Sequence, residues 1–515
     1  MTTEPTSTIG ALLASAARRF PDDDYAAMLD GRLTYRDLEL LTATAARHLL
    51  DLGIGKGVRI GFLLEGGREW FVWWLGALRI GALTVPLSTL YTPRELAKVL
   101  VLADVDTLIV SPTLFGKDAA AGLEAAVAEL AGWAQPQVRL ASVPYLRRIL
   151  ILGPSDRAWA STVDLAAEPS VSLELLAELE EQVSPADLAV IVHTSGSTAD
   201  PKGVIHTQGT LVRQTSAWTE VVKLITGIPG RQRILLAMPF FWIGGMLGTI
   251  GALHESLTLL VLPKLDPGQG LELAERERAT GVIGWASFTQ RMRSDPSFGR
   301  RDLASAPMIT GGPADIAMYG VPDEAPIHRS LTESAGSFVS TAVRIVDEQG
   351  VPVEVGEIGE LLIRGTGAMV GYNKREWHEV FDEDAWYHTK DRVYQLRGDP
   401  RLFYAGRDSE LIKSAGTNVS PREVEFVLEE LPEIAQCLVV GAEHSERGEE
   451  VCAIVVPAGP GFELEAVIGA AKERLSRYKV PTRWIIAAES DLPTLGSGKP
   501  DRRRARDMVA GGALA

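Results

Sequence analysis

The sequence predicts an α/β protein with a large N-terminal domain of βα-type sheets covered by helices and a small C-terminal α+β domain. Helix-like and strand-like segments alternate from residue 34 onward, which is typical of parallel sheets with helices on both faces. Hydrophobic residues make up 46% and charged residues 23% of the chain, the balance of a globular protein. Its 515 residues suffice for several domains of about 100 to 200 residues each.

Local signals predict each element of the large domain. Thr34 and Asp37 form a capping-box pattern that opens a helix through Leu50. The repeated βα pattern then predicts a strand at 58–66, a helix at 68–80, a strand at 82–88, a helix at 93–103 and a strand at 106–112. Further strands are expected at 188–192, 234–238, 258–262 and 281–285. Residues 115–185 are rich in Ala, Glu and Pro and predict surface helices and linkers only.

The large domain is expected to span residues 1–406 and the small domain residues 407–515. In the small domain the patterns predict a helix at 421–431, strands at 437–444 and 450–458, a helix at 464–478 and a strand at 482–489. Cys437 and Cys452, the chain's two cysteines, lie in apolar strand-like segments, so we interpret both as core thiols.

Charge and hydropathy exclude several function classes. The 51 Lys and Arg against 67 Asp and Glu give a net charge of −16, which disfavours nucleic acid as a partner. No segment has the roughly 18 consecutive apolar residues of a membrane span, and the N-terminus lacks a signal-peptide pattern. A cytoplasmic protein is therefore expected.

The segment 189–204, AVIVHTSGSTADPKGV, combines a strand with a loop suited to polyphosphate. Its hydroxyl groups, the backbone N–H groups that glycine leaves accessible, and its lysine are groups that bind phosphate. Their spacing differs from that of a Walker loop. The candidate phosphate-binding residues are Thr194, Ser195, Gly196, Ser197, Thr198 and Lys202.

The ordered string TSGSTxxPKG resembles the adenylate-forming superfamily of acyl-CoA synthetases, adenylation domains and luciferases. Further motifs follow in that family's order over nearly the whole chain: PFFWIGGM at 239–246, TGGPAD at 310–315, SLTE at 330–333, GEIGELLIRGTGAMVGY at 356–372, WYHTKD at 386–391, YAGRDSELIKSAGTNVSPREVE at 404–425 and LPTLGSGKPDR at 492–502. The resemblance implies a mobile C-terminal domain with a hinge near Ser409.

The resemblance implies an AMP-forming acyl-CoA ligase that uses ATP, Mg²⁺ and CoA. A carboxylate attacks the α-phosphate of ATP, and a thiol then takes the acyl group and releases AMP. Lys499, Glu333 and Thr194 would be the catalytic groups, with Glu333 holding Mg²⁺ and Lys499 stabilising the transition state. Beyond the phosphate loop, nucleotide contacts are implied for Gly311, Gly312, Arg329, Ser330, Leu331, Thr332, Asp391 and Arg407.

The acyl and CoA sites are also implied by position in the motifs. Aromatic residues and glycines suggest a bulky hydrophobic acid, because rings supply contact area and glycines supply room. The acyl-binding candidates are Phe241, Trp242, Gly244, Gly245, Met246, Trp285 and Phe288. The CoA-binding candidates are Lys413, Ser414, Ala415 and Gly416.

Several positions depart from the family pattern on the nucleotide side. Arg329 stands where relatives have an adenine-stacking aromatic, and Ala199 and Lys390 stand where they have glycine. Two alternatives therefore stay open: an enzyme with weak or lost adenylation that converts a preformed acyl-adenylate to acyl-CoA, and an ATP-dependent amide ligase. A non-catalytic protein is disfavoured by Lys499 and Glu333. A homodimer and a partner enzyme that supplies the adenylate are left open.

Overall fold

The structure is a computed structural model. It describes residues 8–194, 201–216, 218–284, 286–311, 341–398, 402–407, 412–414, 417–419, 421–444, 448–475, 479–494 and 500–514. These residues form two compact units. Unit one comprises the described residues up to 311 together with 341–342 and 364–385, and unit two comprises 343–363 and the described residues from 386 onward. The domain boundary expected at residue 406 stays a prediction.

Strands provide the framework of both units. In chain order they are β1 Asp24–Met28, β2 Gly31–Thr34, β3 Arg59–Leu63, β4 Leu83–Pro86, β5 Thr107–Val110, β6 Thr113–Leu114, β7 Lys117–Asp118, β8 Arg148–Ile151, β9 Ser161–Thr162, β10 Leu188–Thr194, β11 Lys202–Thr207, β12 Gln232–Ala237, β13 Leu257–Leu260, β14 Gly281–Gly284, β15 Ala342–Val346, β16 Gly359–Arg364, β17 Gly371–Tyr372, β18 Tyr387–Gln395, β19 Leu402–Arg407, β20 Ile412–Ser414, β21 Thr417–Val419, β22 Ile434–His444, β23 Gly448–Pro457 and β24 Arg483–Ile486.

Helices connect and cover these strands. The α-helices are α1 Ile9–Arg19, α2 Tyr35–Asp51, α3 Arg68–Arg79, α4 Pro93–Leu102, α5 Ala119–Ala126, α6 Leu173–Glu181, α7 Gln208–Thr215, α8 Trp218–Thr226, α9 Ile243–Gly251, α10 Pro267–Arg276, α11 Ala286–Arg293, α12 Pro307–Thr310, α13 Pro421–Glu429, α14 Leu464–Arg474 and α15 Arg502–Ala510. Short 3₁₀ turns lie at Ala128–Gly132, Phe298–Arg300, Trp377–Glu379 and Glu489–Asp491.

Unit one contains an eight-stranded and a five-stranded sheet. The eight-stranded sheet has the order β17-β11-β10-β4-β3-β5-β8-β9, and its strands from β10 to β9 run parallel. The five-stranded sheet has the order β14-β12-β13-β1-β2, with β2 antiparallel at one edge. Parallel strands covered on both faces are continuously apolar, which is why these segments carry unbroken hydrophobic runs.

The predicted capping box is present at the start of α2. The Thr34 hydroxyl accepts a hydrogen bond from the Asp37 backbone N–H, and the Asp37 carboxylate accepts one from the Thr34 N–H. Two backbone donors at the helix terminus are thereby satisfied. The alternating βα pattern predicted between residues 58 and 112 is also confirmed, from β3 to β5.

The interpretation of residues 115–185 was wrong in one respect. β8 lies within this segment, pairs with β5 in parallel and is buried at Ile149, Leu150 and Ile151. β8 is as short as β4 and β5, but it follows a Pro- and Ala-rich stretch and lies outside the alternating strand–helix pattern that revealed those two strands.

A buried arginine joins three helices of unit one. Arg79, at the end of α3, is 4% exposed and pairs with Glu39 of α2 at 2.9 Å and with Glu180 of α6. Its guanidinium also donates to the Thr42 hydroxyl at 3.0 Å. A buried cation with this many partners depends on each of them, because an unpaired buried charge is costly.

Unit two combines two further sheets. One has the order β15-β16-β18-β19, and the other joins β20 to β24 with β23 at its centre. The buried Glu425 of α13 accepts a hydrogen bond from the Val439 N–H at 2.9 Å and pairs with Arg502 of α15. This carboxylate therefore connects α13, β22 and α15.

Both cysteines are buried in strands, as predicted. Cys437 lies in β22 and Cys452 in β23, and both are free thiols. Burial raises the pKa of Cys452 to about 11 and raises that of Cys437 as well. Both therefore stay protonated at neutral pH and behave as core side chains. Among the described residues, no helix has the length and apolar character that crossing a membrane requires.

Replacing Arg79 with alanine is expected to lower the free energy of unfolding of unit one by about 3 to 5 kcal/mol, because Glu39 and Glu180 lose their shared cation. The control is Arg36→Ala, which removes an exposed pair with Asp22. That change should cost less than about 1 kcal/mol. Urea unfolding followed by tryptophan fluorescence measures both, and equal losses would contradict the role assigned to Arg79.

Candidate functional site

The predicted phosphate loop connects two antiparallel strands. β10 and β11 pair along their length, and Thr194 faces Lys202 in the register. The turn at 195–200, which contains Ser195, Gly196, Ser197 and Thr198, lies outside the described residues. The hairpin thus brings the two ends of the predicted phosphate loop together, with Lys202 at the start of β11.

A chain of hydrogen bonds fixes β10 to the parallel part of the sheet. Val190 pairs with Thr84 of β4, and the Thr84 hydroxyl donates to the Ala189 carbonyl at 2.8 Å. The indole N–H of Trp74 in turn donates to the Thr84 hydroxyl at 3.0 Å. These four residues are all buried, so the hairpin has a rigid base.

Side chains beside the hairpin were missed by the sequence analysis. The Lys202 ammonium lies 5.4 Å from the centre of the Tyr372 ring. Tyr372 belongs to β17, which pairs with β11, and the following Asn373 N–H donates to the Gly203 carbonyl at 2.7 Å. These residues are far from the hairpin in sequence, so only the pairing of β17 with β11 reveals them.

A cavity of about 530 Å³ borders this side of the hairpin. Its lining includes His193, Lys202, Gly203, Tyr372, Lys374 and Arg375. Burial lowers the pKa of His193 to about 4, and that of His206 on β11 likewise to about 4. Both imidazoles are therefore neutral at physiological pH, and the positive charge in the lining of this cavity comes from Lys202, Lys374 and Arg375.

The predicted ribose-binding acid lies at an irregularity in β18. Glu360 pairs with Arg392 and Leu362 with His388, so Leu361 alone faces the three residues Thr389–Asp391. Such a bulge redirects the side chains it contains. Across the other edge of β18, Asp391 faces Arg407 of β19. The structure therefore brings together two of the residues predicted to bind the nucleotide.

Lys390, which stands where relatives of the resembled family have glycine, has a left-handed backbone conformation. Its φ is +63°, in the region that a residue with a Cβ occupies at a cost. The backbone next to Asp391 is therefore strained.

Residues of the predicted acyl segment are packed closely. Gly244 and Gly245 lie in the first turn of α9, and a Cβ added to Gly245 would lie 2.5 Å from the Pro239 carbonyl oxygen. Met246 and Phe288 are fully buried in the hydrophobic core. Close packing alone explains these glycines, so contact of this segment with the acid stays a prediction. Phe241 and Trp242 stack edge to face, with ring centres 5.1 Å apart.

A second cavity, of about 910 Å³, also lies in unit one. It opens where β3, β4, β12 and β13 end, and ligands of α/β folds commonly bind at the carboxyl ends of parallel strands. Among the predicted acyl residues that the structure describes, only Phe241 lines it. Its lining also includes Tyr91, Phe115, Lys117 and Lys264. The sequence signal for this cavity was the set of segments that follow each parallel strand.

The tyrosine in this cavity keeps its proton. Burial, and secondarily the carboxylate of Glu95, raises the pKa of Tyr91 to about 12. Its hydroxyl is therefore available as a hydrogen-bond donor at neutral pH.

The remaining predicted residues divide into two groups. Within the described residues, Lys413 and Ser414 lie on β20, where Ser414 is buried and pairs with Gly448, and Gly311 directly follows α12. Outside the described residues lie Gly312, Arg329, Ser330, Leu331, Thr332, Glu333, Trp285, Ala415, Gly416, Lys499 and the hinge residue Ser409. In the part of the chain that the structure describes, no cluster of three or more His, Cys, Asp or Glu could hold a metal ion.

Replacing Gly245 with alanine is expected to destabilise unit one by about 2 kcal/mol or more, because the added methyl group meets backbone that cannot move away cheaply. The control is Gly469→Ala in the exposed face of α14, where a Cβ meets nothing within 4 Å. The free energy of unfolding of that variant should rise by about 0.5 to 1 kcal/mol. Thermal unfolding distinguishes the two. An unchanged midpoint for Gly245→Ala would show that the α9 terminus adapts.

Comparison with known proteins identifies the family. The profile described as "AMP-binding enzyme" matches residues 13–319, and that described as "AMP-binding enzyme C-terminal domain" matches residues 423–499. The indoleacetate–CoA ligase of Aromatoleum aromaticum is 28% identical over 96% of this chain and 95% of its own.

Two solved structures share the fold. The anthranilate CoA ligase AuaEII, in complex with anthranoyl-AMP, has a TM-score of 0.73 at 19% identity and covers 99% of both chains. The amide bond synthetase McbA from Marinactinospora thermotolerans has a TM-score of 0.73 at 23% identity, over 97% of this chain and 99% of its own. The predicted α/β architecture is confirmed, and because the first profile spans more than half of the sequence, the chain belongs to the AMP-binding enzymes, the adenylate-forming superfamily.

Proposed function

We propose that the protein activates a bulky hydrophobic carboxylic acid as its acyl-adenylate and transfers the acyl group to CoA. The observation that carries this proposal is the β10–β11 hairpin, which places Thr194 opposite Lys202 at the two ends of the phosphate loop of an AMP-binding enzyme. The facing positions of Asp391 and Arg407 on β18 and β19 support it further.

The reaction consists of two displacements. In the first, a carboxylate oxygen attacks the α-phosphorus of ATP, and the bond from that phosphorus to pyrophosphate breaks. In the second, the thiol sulfur of CoA attacks the acyl carbonyl, and AMP leaves with the electrons of the former anhydride bond. Both steps create negative charge on oxygen, which preorganised cations stabilise.

The proposed site residues have separate roles in these two steps. Lys202 and the hydroxyls of the loop bind the β- and γ-phosphates, and Asp391 accepts hydrogen bonds from the ribose hydroxyls through its two oxygens. Arg407 binds near the ribose or phosphate, and Lys499 bridges the carboxylate and α-phosphate. Glu333 would hold Mg²⁺, which neutralises phosphate charge when bound.

The acid is proposed to be large and apolar. Phe241 and Trp242 supply aromatic surface next to α9. Relatives at 27–28% identity are named for indoleacetate and for long-chain fatty acids, which supports an apolar acid. Gly244 and Gly245 are closely packed against neighbouring residues, so they leave little room for the acid. In this proposal other residues of the site surround the acid.

We assign the 910 Å³ cavity of unit one to the nucleotide end of CoA. The cavity combines the aromatic rings of Tyr91 and Phe115 with the ammonium groups of Lys117 and Lys264, and its lining also contains the carboxylates of Glu65 and Asp118. Both carboxylates already have partners, because Glu65 accepts from the Phe115 N–H and Asp118 pairs with Arg157. Both lysines are exposed, and Phe115 is 39% exposed. Rings that can stack on a base and cations that attract phosphates suit an anionic nucleotide in a protein of net charge −16.

The substitutions Lys117→Gln and Lys264→Gln are expected to raise the KM for CoA together by about 10-fold, since two exposed cations each contribute up to about 1 kcal/mol. The KM for ATP should stay within about 2-fold. Steady-state kinetics with saturating acid measures both constants. A changed acid preference with an unchanged KM for CoA would instead assign the cavity to the acyl chain.

The second candidate is an enzyme that only converts a preformed adenylate to the thioester. The left-handed Lys390 beside Asp391 is the observation that raises this candidate, because a strained residue there can disturb the ribose site. An amide ligase, which would use an amine in place of CoA, is the third; the fold of McbA is compatible with it.

One comparison tests all three. Bulky free acids are supplied with Mg-ATP and CoA in one set of reactions, and their synthetic adenylates with CoA alone in another. Acyl-CoA in both sets, detected by mass spectrometry, supports the complete ligase. Product from the adenylates alone supports the second candidate. A third set supplies the free acids with Mg-ATP and amines in place of CoA, and product in that set alone supports the amide ligase.

Replacing Lys499 with alanine is expected to slow adenylate formation at least about 100-fold, because a transition-state cation is lost. Conversion of a synthetic adenylate to acyl-CoA should continue at a rate near that of the wild type. The matched control is Lys472→Ala, at an exposed position of α14, which should leave both half-reactions unchanged. Full adenylation activity in Lys499→Ala would remove this lysine from the mechanism.

A further inference from the structure

The bulge at Thr389–Asp391 is supported from two sides. On one side the Thr389 hydroxyl donates to the Leu361 carbonyl at 2.7 Å and accepts from the Asp391 N–H at 3.1 Å. These bonds bridge the gap in the ladder between β16 and β18. They fix the backbone on either side of Lys390 but do not involve Lys390 itself.

On the other side, one carboxylate contacts the centre of the bulge. Glu360 is 8% exposed, and its Oε1 accepts from the Lys390 N–H at 3.1 Å. The same oxygen lies 3.4 Å from the Lys390 ammonium. Its Oε2 lies 3.1 Å from Nδ1 of His388, on the same strand as Lys390. A single buried side chain therefore binds the backbone and side chain of Lys390 and the ring of His388.

This contact offsets the cost of a lysine where glycine would be unstrained. A left-handed residue with a Cβ persists only where its surroundings hold it there. Here the backbone N–H and the ammonium group of Lys390 both contact one oxygen of Glu360. The contact between the other oxygen of Glu360 and Nδ1 of His388 holds the carboxylate in place. Without Glu360, Lys390 would be free to relax toward an extended φ and to change the direction of the adjoining Asp391.

We propose that Glu360 is a positioning residue for nucleotide binding, which locks the Thr389–Asp391 bulge so that Asp391 faces the ribose although residue 390 is not glycine. Glu360 does not contact the nucleotide in this proposal; it acts through Lys390 and Asp391. The inference rests on the proposed function, since it assumes that Asp391 binds ribose.

The proposal predicts rescue by glycine. Glu360→Ala should weaken binding of AMP by about 10-fold, the effect of losing an interaction to a charged group. In Glu360→Ala/Lys390→Gly, residue 390 takes the left-handed φ without strain, and affinity should return to within about 3-fold of the Lys390→Gly single variant. A general structural role for Glu360 would give no such recovery.

Isothermal titration with AMP and with ATP measures these affinities without knowledge of the acid. Glu360→Gln, which keeps an oxygen acceptor but loses the charge, should fall between wild type and Glu360→Ala, and it replaces the alanine variant if that variant does not fold. Lys390→Ala keeps the Cβ but removes the ammonium, so with Glu360→Ala it should not restore binding. Glu357→Ala, at an exposed glutamate just before β16, is the matched control and should bind AMP as the wild type does.

The outcomes separate the two proposals. Wild-type protein that binds neither AMP nor ATP would overturn both the proposed ligase and this inference. Wild-type binding with unchanged affinity in Glu360→Ala and Glu360→Gln would overturn the inference alone. A double variant no better than Glu360→Ala would also overturn it, whereas recovery specific to glycine at residue 390 would establish the positioning role.

Discussion

The pairing of β10 with β4 is the constraint on which the arrangement of unit one depends. It joins a strand from the middle of the chain to the parallel strands β3, β4 and β5 near its start. The buried hydroxyl of Thr84 bridges the two strands and is itself held by Trp74. Because β10 is fixed in this way, the hairpin of β10 and β11 extends from a rigid sheet. β17 pairs with β11, the outer strand of this hairpin.

Buried polar side chains also fix the local geometry of unit two, where they are carboxylates. Glu425 fixes two helices to β22, and Glu360 fixes the irregular part of β18. In both cases a carboxylate removed from water is satisfied by backbone N–H groups and cations, which offset the cost of its burial. The proposed nucleotide site thus depends on an ionic contact that lies one layer away from the ligand.

Sequence patterns predicted most of the fold because its signals are local. The capping box at Thr34 and the apolar runs of β3, β4 and β5 depend only on near neighbours. β8, which is as short as β4 and β5, was missed because it lies outside the alternating strand–helix pattern, within an Ala- and Pro-rich segment. The site was predicted as motif positions, but the contact of Glu360 with Lys390 links residues 30 positions apart, and the packing of Gly245 depends on a turn that no pattern encodes. Such features exist only in the folded chain.

The two edge strands of the eight-stranded sheet limit how two copies of the protein can associate. Its edge strands, β9 and β17, are each two residues long. A short edge offers few free N–H and C=O groups to a strand of another molecule, which protects a wide sheet against edge-to-edge aggregation. If two copies of this chain associate, the eight-stranded sheet is therefore not expected to continue from one copy into the other.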